Sequence, residues 1–144
     1  MWIGGRSDAA LSRASRHRGW CAYAETPRSF GAKRDRIREL LGRDDASYDY
    51  AVLVFTSIDD DRETARARME PLLRRHYGDR FADAMDVLCA VGTAEDIRVR
   101  LGEYAQAGAT ELLLSPLCHP DDLDHQVARL ATAFELQREE QDVP

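Results

Sequence analysis

The sequence predicts an α/β protein of about four strand–helix units whose strands run parallel. Short apolar runs alternate with stretches that carry apolar residues at helical spacing. The run at residues 50–55 is apolar throughout, which is typical of a strand covered on both faces. Strands that alternate with helices of this length favour parallel pairing through right-handed crossovers. An open doubly wound sheet and a barrel both satisfy this order. A complete eight-stranded barrel needs about 250 residues, so 144 residues would fill only about half of one.

The first two strand–helix pairs are marked by glycine breakers and helix caps. A short strand at residues 2–3 is followed by two glycines, and Ser7 is a good N-cap for a helix over residues 8–17. A second strand is predicted at residues 20–23. Thr26 then caps a helix with proline at its first position. The apolar positions expected on the buried face of this second helix are Phe30, Ile37, Leu40 and Leu41.

The later strand–helix pairs follow the same order after the strand at residues 50–55. A helix begins near residues 59–61, and Pro71 is expected to kink or restart it. Residues 78–89 are ambiguous, although their composition is helical. Thr93 caps the next helix, with Asp96 completing an imperfect capping box. A strand at residues 112–114 and a helix over residues 121–138 complete the pattern. Its expected buried positions are Leu123, Val127, Leu130 and Phe134.

Composition and charge exclude several classes of protein. The net charge of −6 argues against binding nucleic acid or anionic membranes through the whole surface. Residues 6–43 are nevertheless rich in arginine and could attract an anion, or simply form solvated helix faces. The three cysteines are widely spaced, as is typical of reduced thiols in a cytoplasmic protein. No apolar run is long enough for a membrane span or a signal peptide, so we expect a soluble, cytoplasmic protein.

The segment with the clearest chemical meaning is residues 2–11, which read as strand, glycine turn and helix start. Gly4 and Gly5 let the backbone approach a ligand closely, and unpaired N–H groups at the helix start point towards it. Ser7 adds a hydroxyl group and Arg6 adds a forked cation. Together these groups predict a phosphate-binding loop. The alternative is a tight turn with a solvent-facing arginine.

Three segments carry a resemblance to a known family. WIGGRSDAALSRASRHRGW resembles the strand, GG-x-S turn, alanine-rich helix and DGW segment of luciferase-like flavin-dependent oxidoreductases. VGTAEDIRVRLGEYAQAGATELLLSP is similar to the same family's VGTPEE, helix, AGA and strand segment, and FTSIDDDRETARARME takes the intervening place. The resemblance implies part of a TIM (β/α)8-type barrel. We expect a single luciferase-like domain over residues 1–144 that corresponds to the C-terminal half of the barrel.

The resemblance also implies a cofactor site. In the family the matching loop lies against the phosphate of FMN or of the deazaflavin coenzyme F420. Carried over to this sequence, Gly4 and Gly5 would donate backbone N–H groups, Ser7 a hydroxyl group and Arg6 positive charge. Arg18 departs from the family, which usually has aspartate before Gly-Trp. The family's monooxygenases react reduced flavin with oxygen, whereas its deazaflavin enzymes transfer hydride, and the sequence does not separate these branches.

Other reactive side chains give weaker signals. His119 follows the last predicted strand, at the end where barrel active sites lie, and is a candidate for lining a substrate pocket. An ordinary loop histidine is the alternative. The spacing of His119 and His125 matches no structural zinc pattern, so no metal site is predicted. No residue is nominated as catalytic, and flavin chemistry does not in every case need a general base on the protein, because the cofactor performs the hydride or oxygen transfer.

The resemblance therefore predicts part of a flavin-dependent oxidoreductase or monooxygenase, as a truncated gene product or as a subunit. Half a barrel would leave unpaired sheet edges, so we expect a homo-oligomer or a complementary N-terminal half-barrel chain as partner. The alternative is a half barrel that binds flavin or phosphate without catalysis. A nucleic-acid accessory domain that uses the basic residues 6–43 is a third hypothesis.

Overall fold

A computed structural model describes residues 1–42 and 46–141, with side chains described up to Phe134. Arg43, the last residue of the basic stretch, lies outside the described residues, as do the last three residues of the domain predicted over residues 1–144. The chain divides into two compact units. The first contains Met1–Val54 and Leu101–Leu114, and the second contains Phe55–Arg100 and the chain from Ser115 onward.

Strands and helices alternate along the described chain. The strands are β1 (Trp2–Gly4), β2 (Gly19–Tyr23), β3 (Asp49–Ile58), β4 (Ala90–Gly92) and β5 (Glu111–Pro116). The helices are α1 (Asp8–Ala14), α2 (Pro27–Leu41), α3 (Arg62–Tyr77), α4 (Asp79–Asp83), α5 (Met85–Leu88), α6 (Ala94–Gln106) and α7 (Leu123–Gln141), and a short 3-10 helix (Pro120–Asp122) precedes α7. The predicted caps are confirmed, because the side chains of Ser7 and Thr26 accept hydrogen bonds from the first turns of α1 and α2.

All strand pairs with a described register are parallel. β1 pairs with β2, β2 with β3, and β3 with β4, and β5 also pairs with β3. β5 is parallel to β3, because the hydrogen bonds that flank β5 advance in the same direction along both strands. These bonds join Thr110 N to Tyr50 O and Leu117 N to Thr56 O. The predicted parallel α/β class is confirmed.

The core of the first unit is aromatic. Trp20 stacks on Phe30 with ring centroids 5.3 Å apart, and Phe30 meets Tyr104 edge to face at 6.2 Å. All three side chains are fully buried. This cluster lies where α2 and the end of α6 cover β2, and it supports the glycine turn described below.

The second unit contains a buried polar side chain that ties α7 to β3. Gln126 is almost completely buried, and its amide forms two 2.9 Å hydrogen bonds with the backbone of Ile58. Its Oε1 accepts from Ile58 N, and its Nε2 donates to Ile58 O. These bonds pair both backbone polar groups of the last residue of β3 with a side chain from α7.

Replacing Gln126 by leucine is expected to lower the free energy of unfolding by about 2–4 kcal/mol, because two buried backbone groups lose their partners. Urea denaturation followed by circular dichroism measures this change. Gln106→Leu, at the exposed end of α6, is the control and should have little effect. Equal stability of the two variants would contradict the role assigned to Gln126.

The structure corrects several details of the predicted elements. β4 was not predicted as a strand, and α3 continues through Pro71. Pro71 and Ala67, four residues earlier, are both exposed, so water can satisfy the carbonyl group that proline leaves unpaired. The helix expected over residues 8–17 ends at Ala14, and tight i to i−3 hydrogen bonds follow it.

Two predicted buried stripes were partly wrong. Leu40 is exposed, because it lies about 80° around the helix from Phe30 and about 60° from Ile37. Leu123 and Val127 are also exposed. Among the side chains of α7 that are described, those up to Phe134, the buried ones are Gln126, Leu130 and Ala133. Among the described residues, no helix combines the length and apolar character needed to cross a membrane.

Candidate cofactor-phosphate site

The glycine turn between β1 and α1 is a backbone feature that requires glycine at one position. Gly5 has φ +121°, a conformation that side chains disfavour. A Cβ atom at Gly5 would lie only 2.6 Å from the Cβ of Ala10. At Gly4 the nearest atom to an added Cβ would be the Cys21 carbonyl oxygen at 3.8 Å, which is an ordinary contact. The turn therefore requires glycine at Gly5, whereas the end of β1 would accommodate a side chain at Gly4.

A buried tryptophan holds the turn in place. The indole Nε1 of Trp20 donates a 2.9 Å hydrogen bond to the carbonyl oxygen of Gly5. Trp20 is fully buried, so the turn is fixed to the core of the first unit. Residues 4–7 are themselves exposed. The turn is thus held on its buried side by Trp20, and its other side is exposed, so that a ligand could reach it.

Arg6 is bound to a buried carboxylate that the sequence did not single out. Its Nε donates a 2.7 Å hydrogen bond to Oε1 of Glu25, which is only 2% exposed. The other oxygen, Oε2, accepts hydrogen bonds from Lys33 Nζ at 2.8 Å and from the hydroxyl group of Ser29. The hydroxyl group of Tyr104 donates to the Glu25 carbonyl oxygen at 2.6 Å. Two cations and one carboxylate leave the cluster with one net positive charge.

The surroundings of Glu25 keep its carboxylate ionised. Burial by itself would raise the pKa of Glu25. Hydrogen bonds from Lys33 and Ser29 oppose that effect, and the positive charges of Lys33 and Arg6 add to them. The pKa of this carboxyl therefore lies below its ordinary value. A charged Glu25 is the form that binds Arg6 at neutral pH.

A pH-dependent stability follows from the lowered pKa. Ionised Glu25 stabilises the folded state above its ordinary pKa of 4.5, and this contribution is lost as the pH falls through the lower folded pKa. The difference in free energy of unfolding between wild type and Glu25→Gln should therefore be largest near neutral pH and shrink in acid. Urea denaturation from about pH 3 to 7 measures it. A difference that stays constant over that interval would contradict the assignment.

The structure also accounts for Arg18, where the family usually has aspartate. Arg18 Nε donates to Oδ2 of Asp49 at 3.2 Å, and Trp2 Nε1 donates to the same oxygen at 2.8 Å. Asp49 begins β3, Gly19 begins β2 and Trp2 begins β1. A Cβ at Gly19 would lie 2.7 Å from the Asp49 carbonyl oxygen, so glycine is required there. Asp49 thus links the start of β3 to Trp2 in β1 and to Arg18 just before β2, away from the turn at Gly5.

The second unit contains a cavity of about 380 Å³ beside the end of β3. Its lining residues are Ile58, Asp60, Ala94, His125, Ala128, Arg129, Thr132 and Ala133. Arg129 is paired with Asp60 at 2.6 Å, so its charge is already balanced. His119 does not line this cavity. Its Nδ1 lies 3.3 Å from a carboxylate oxygen of Asp121, on the exposed 3-10 helix.

The structure thus places Gly4 at the exposed end of β1 and Gly5, Arg6 and Ser7 in the exposed turn that follows it, as the sequence predicts. Their role as cofactor ligands and the role of His119 in a substrate pocket stay predictions. Sequence reasoning missed Glu25, and the signal for it was an acidic residue between an apolar strand and the cap of α2. Within the described ranges, no three His, Cys, Asp or Glu side chains are grouped as metal ligands would be.

Parallel strands alternating with helices, and a glycine turn at the carboxyl end of β1, are features of α/β barrels that bind phosphate-bearing cofactors. The model of the luciferase-like monooxygenase family matches residues 1–111. The chain belongs to this family, and the resemblance predicted from its motifs is confirmed. No curated protein sequence is significantly similar to the chain.

Solved structures share the fold of this chain. Monooxygenase RslO1 from Streptomyces bottropensis has a TM-score of 0.71 and 12% identity, over 95% of this chain and 47% of its own. An F420-dependent secondary alcohol dehydrogenase, solved with an F420–acetone adduct, has a TM-score of 0.67 and 14% identity, over 80% of this chain and 42% of its own. A riboflavin lyase, RcaE, solved with modified FMN and riboflavin, has a TM-score of 0.64 and 16% identity, over 99% and 43%.

The chain spans less than half the length of each of these three structures. They are TIM-type barrels, and the chain covers part of each. The order of the elements allowed both an open doubly wound sheet and a barrel. This likeness confirms that the chain is part of a TIM-type barrel. The assignment to the C-terminal half and the single domain over residues 1–144 stay predictions.

Proposed function

We propose that this chain contributes the cofactor-phosphate loop of a luciferase-like flavin-dependent oxidoreductase or monooxygenase. The observation that carries the proposal is the exposed turn at Gly5, with the guanidinium group of Arg6 held beside it by a buried carboxylate. Membership of the luciferase-like monooxygenase family supports it. The proposed cofactor ligands are Gly4, Gly5, Arg6 and Ser7.

The chemistry of these residues fits a phosphate group. Gly4 and Gly5 have no side chains, so a phosphate could approach their backbone N–H groups. The Ser7 hydroxyl accepts from Ala10 N at 3.3 Å and keeps its own hydrogen for donation. Arg6 bonds to Glu25 through Nε, and its two terminal NH2 groups have no other partner among the described residues. Four N–H donors therefore remain for an anion.

We propose FMN or the deazaflavin coenzyme F420 as the cofactor. Neighbouring structures are described with an F420 adduct and with modified FMN, which supports either choice. When bound, such a cofactor supplies hydride or oxygen transfer. The contribution of this chain is to bind and orient it: the turn at Gly5 and the side chains of Arg6 and Ser7 would fix the phosphate end. The substrate pocket would lie elsewhere, and His119 is its candidate residue.

The proposal is tested by comparing FMN with riboflavin, which lacks the phosphate. Full-length chain should quench FMN fluorescence and bind FMN more tightly than riboflavin. Arg6→Gln should weaken FMN binding about 10- to 100-fold, the effect of one charged hydrogen-bonding partner, and should leave riboflavin binding unchanged. Arg13→Gln removes the same charge from the exposed end of α1 and is the control. Equal affinities for FMN and riboflavin in the wild type would overturn the proposal.

The partner is also a proposal. Leu112, Leu113 and Leu114 in β5 are only half-buried, and Trp2 in β1 is 37% exposed. These partly exposed apolar side chains, which lie in two separate strands, support a homo-oligomer or a complementary N-terminal half-barrel chain, which light scattering at micromolar concentration would reveal. The second candidate function, flavin or phosphate binding without catalysis, rests on the same exposed turn at Gly5 and the guanidinium group of Arg6. It predicts FMN binding by this chain alone, without turnover.

We propose no nucleic-acid or membrane partner, and a cytoplasmic location.

A further inference from the structure

We infer that Glu25 is a positioning residue, which holds Arg6 by its Nε side so that both terminal NH2 groups face a cofactor phosphate. The inference rests on the proposed function of the loop. It assigns a role to a carboxylate that would not itself touch the cofactor. The role is to order a long, exposed side chain before the anion arrives.

The Glu25 carboxylate is held on every side. Oε1 accepts from Arg6, whereas Oε2 accepts from Lys33 and Ser29, both on α2. The Tyr104 hydroxyl group fixes the Glu25 carbonyl oxygen from α6. Since the side chain is fully buried and both oxygens are engaged, the carboxylate is a rigid acceptor for Arg6.

The backbone entering Glu25 is also specialised. Ala24 has φ +54°, the only positive φ at a non-glycine residue in the described chain. Such a conformation is costly for alanine and persists when the surroundings enforce it. It turns the chain from β2 towards the cap of α2 and places Glu25 beside the glycine turn. Strained backbone of this kind is concentrated at functional sites.

Arg6 is the side chain that would benefit from being held. Its side chain is 61% exposed, and its bond to Glu25 is its single partner among the described residues. A free arginine on a surface samples many rotamers, and ordering it on binding reduces affinity. Because Glu25 binds Nε, the planar guanidinium group is oriented while both terminal NH2 groups stay available for a phosphate.

Simple electrostatics predicts the opposite effect from positioning. Removing the negative charge of Glu25 would raise the net charge beside the turn and should strengthen FMN binding. Positioning predicts weaker binding, because Arg6 would lose its ordered conformation. The sign of the change therefore separates the two accounts, and riboflavin separates both from a general loss of structure.

The experiment is a double-mutant cycle on the full chain, with dissociation constants for FMN and riboflavin. Glu25→Gln should weaken FMN binding about two- to tenfold, the cost of ordering one long side chain, and leave riboflavin binding unchanged. In the Arg6→Gln background, Glu25→Gln should have no further effect on FMN. Tighter FMN binding by Glu25→Gln, or an equal loss in both backgrounds, would overturn the inference.

Two further variants keep the test decisive. Lys33→Gln removes the other cation from the same carboxylate, and should lower stability while the ratio of FMN to riboflavin affinity stays the same. Where Glu25→Gln does not fold, Glu25→Asp keeps the charge but withdraws the carboxylate from Arg6, and should weaken FMN binding in the same way. If Arg6→Gln weakens FMN binding and neither Glu25 variant does, this inference fails alone. If Arg6→Gln has no effect, the proposed function fails as well.

Discussion

Trp20→Ala is expected to lower the free energy of unfolding by about 3–5 kcal/mol, the usual cost of removing a fully buried large aromatic side chain. Trp20 is buried, stacks on Phe30 at 5.3 Å and donates a hydrogen bond to the carbonyl oxygen of Gly5. The variant would therefore lose core packing and release the glycine turn together. Urea denaturation followed by circular dichroism measures the stability change.

Trp2→Ala is the matched control for this prediction. Trp2 is 37% exposed, and its indole group makes one hydrogen bond to Asp49. Its loss should cost about 1 kcal/mol. Trp20→Phe should keep much of the packing against Phe30 but lose the hydrogen bond to Gly5. It should therefore lower the free energy of unfolding less than Trp20→Ala does, and still weaken FMN binding. Similar destabilisation by Trp2→Ala and Trp20→Ala would show that Trp20 does not anchor the first unit.

Gly5→Asp is expected to abolish FMN binding. The backbone at Gly5 has φ +121°, and an added Cβ would lie 2.6 Å from the Cβ of Ala10, so the turn must change shape. The new carboxylate would also repel the phosphate at the position where the backbone is proposed to receive it. Both effects act on the same loop, so fluorescence titration should show no saturable quenching at concentrations that saturate the wild type.

Gly42→Asp is the matched control for the loop variant. Gly42 also has a positive φ, +65°, but an added Cβ would meet nothing within 4 Å. It therefore introduces the same charge at the end of α2 with a smaller backbone penalty, because aspartate tolerates the left-handed region better than most side chains. FMN affinity should stay close to that of the wild type. Retention of FMN binding by Gly5→Asp, with the fold intact, would exclude this turn as the phosphate loop.

The predicted elements that proved correct are those whose signals are local. Ser7, Thr26 and Thr93 were assigned as caps from the sequence, and each side chain accepts the expected backbone hydrogen bond. The apolar run in β3 was assigned correctly for the same reason. β4 was missed because three residues are too few to show a period. The buried face of α7 was misassigned because it contains Gln126, whose hydrogen bonds to Ile58 depend on tertiary structure.

The candidate site follows the same division. The loop of Gly4, Gly5, Arg6 and Ser7 is contiguous in sequence, so its glycine turn and its helix cap could be recognised directly. Glu25 could not be recognised as the partner of Arg6, because the two residues are brought together by the pairing of β1 with β2. Its other partners come from α2 and α6. A charge cluster assembled from four elements leaves no spacing pattern in the sequence.

A crystal structure of the full chain with FMN tests the central claim most directly. The account predicts phosphate oxygens within hydrogen-bonding distance, about 3 Å, of the Gly5 backbone nitrogen, the Ser7 hydroxyl group and the terminal nitrogens of Arg6, with Arg6 Nε still bound to Glu25. A phosphate bound away from residues 4–7, or an Arg6 side chain that leaves Glu25 to reach it, would contradict the account.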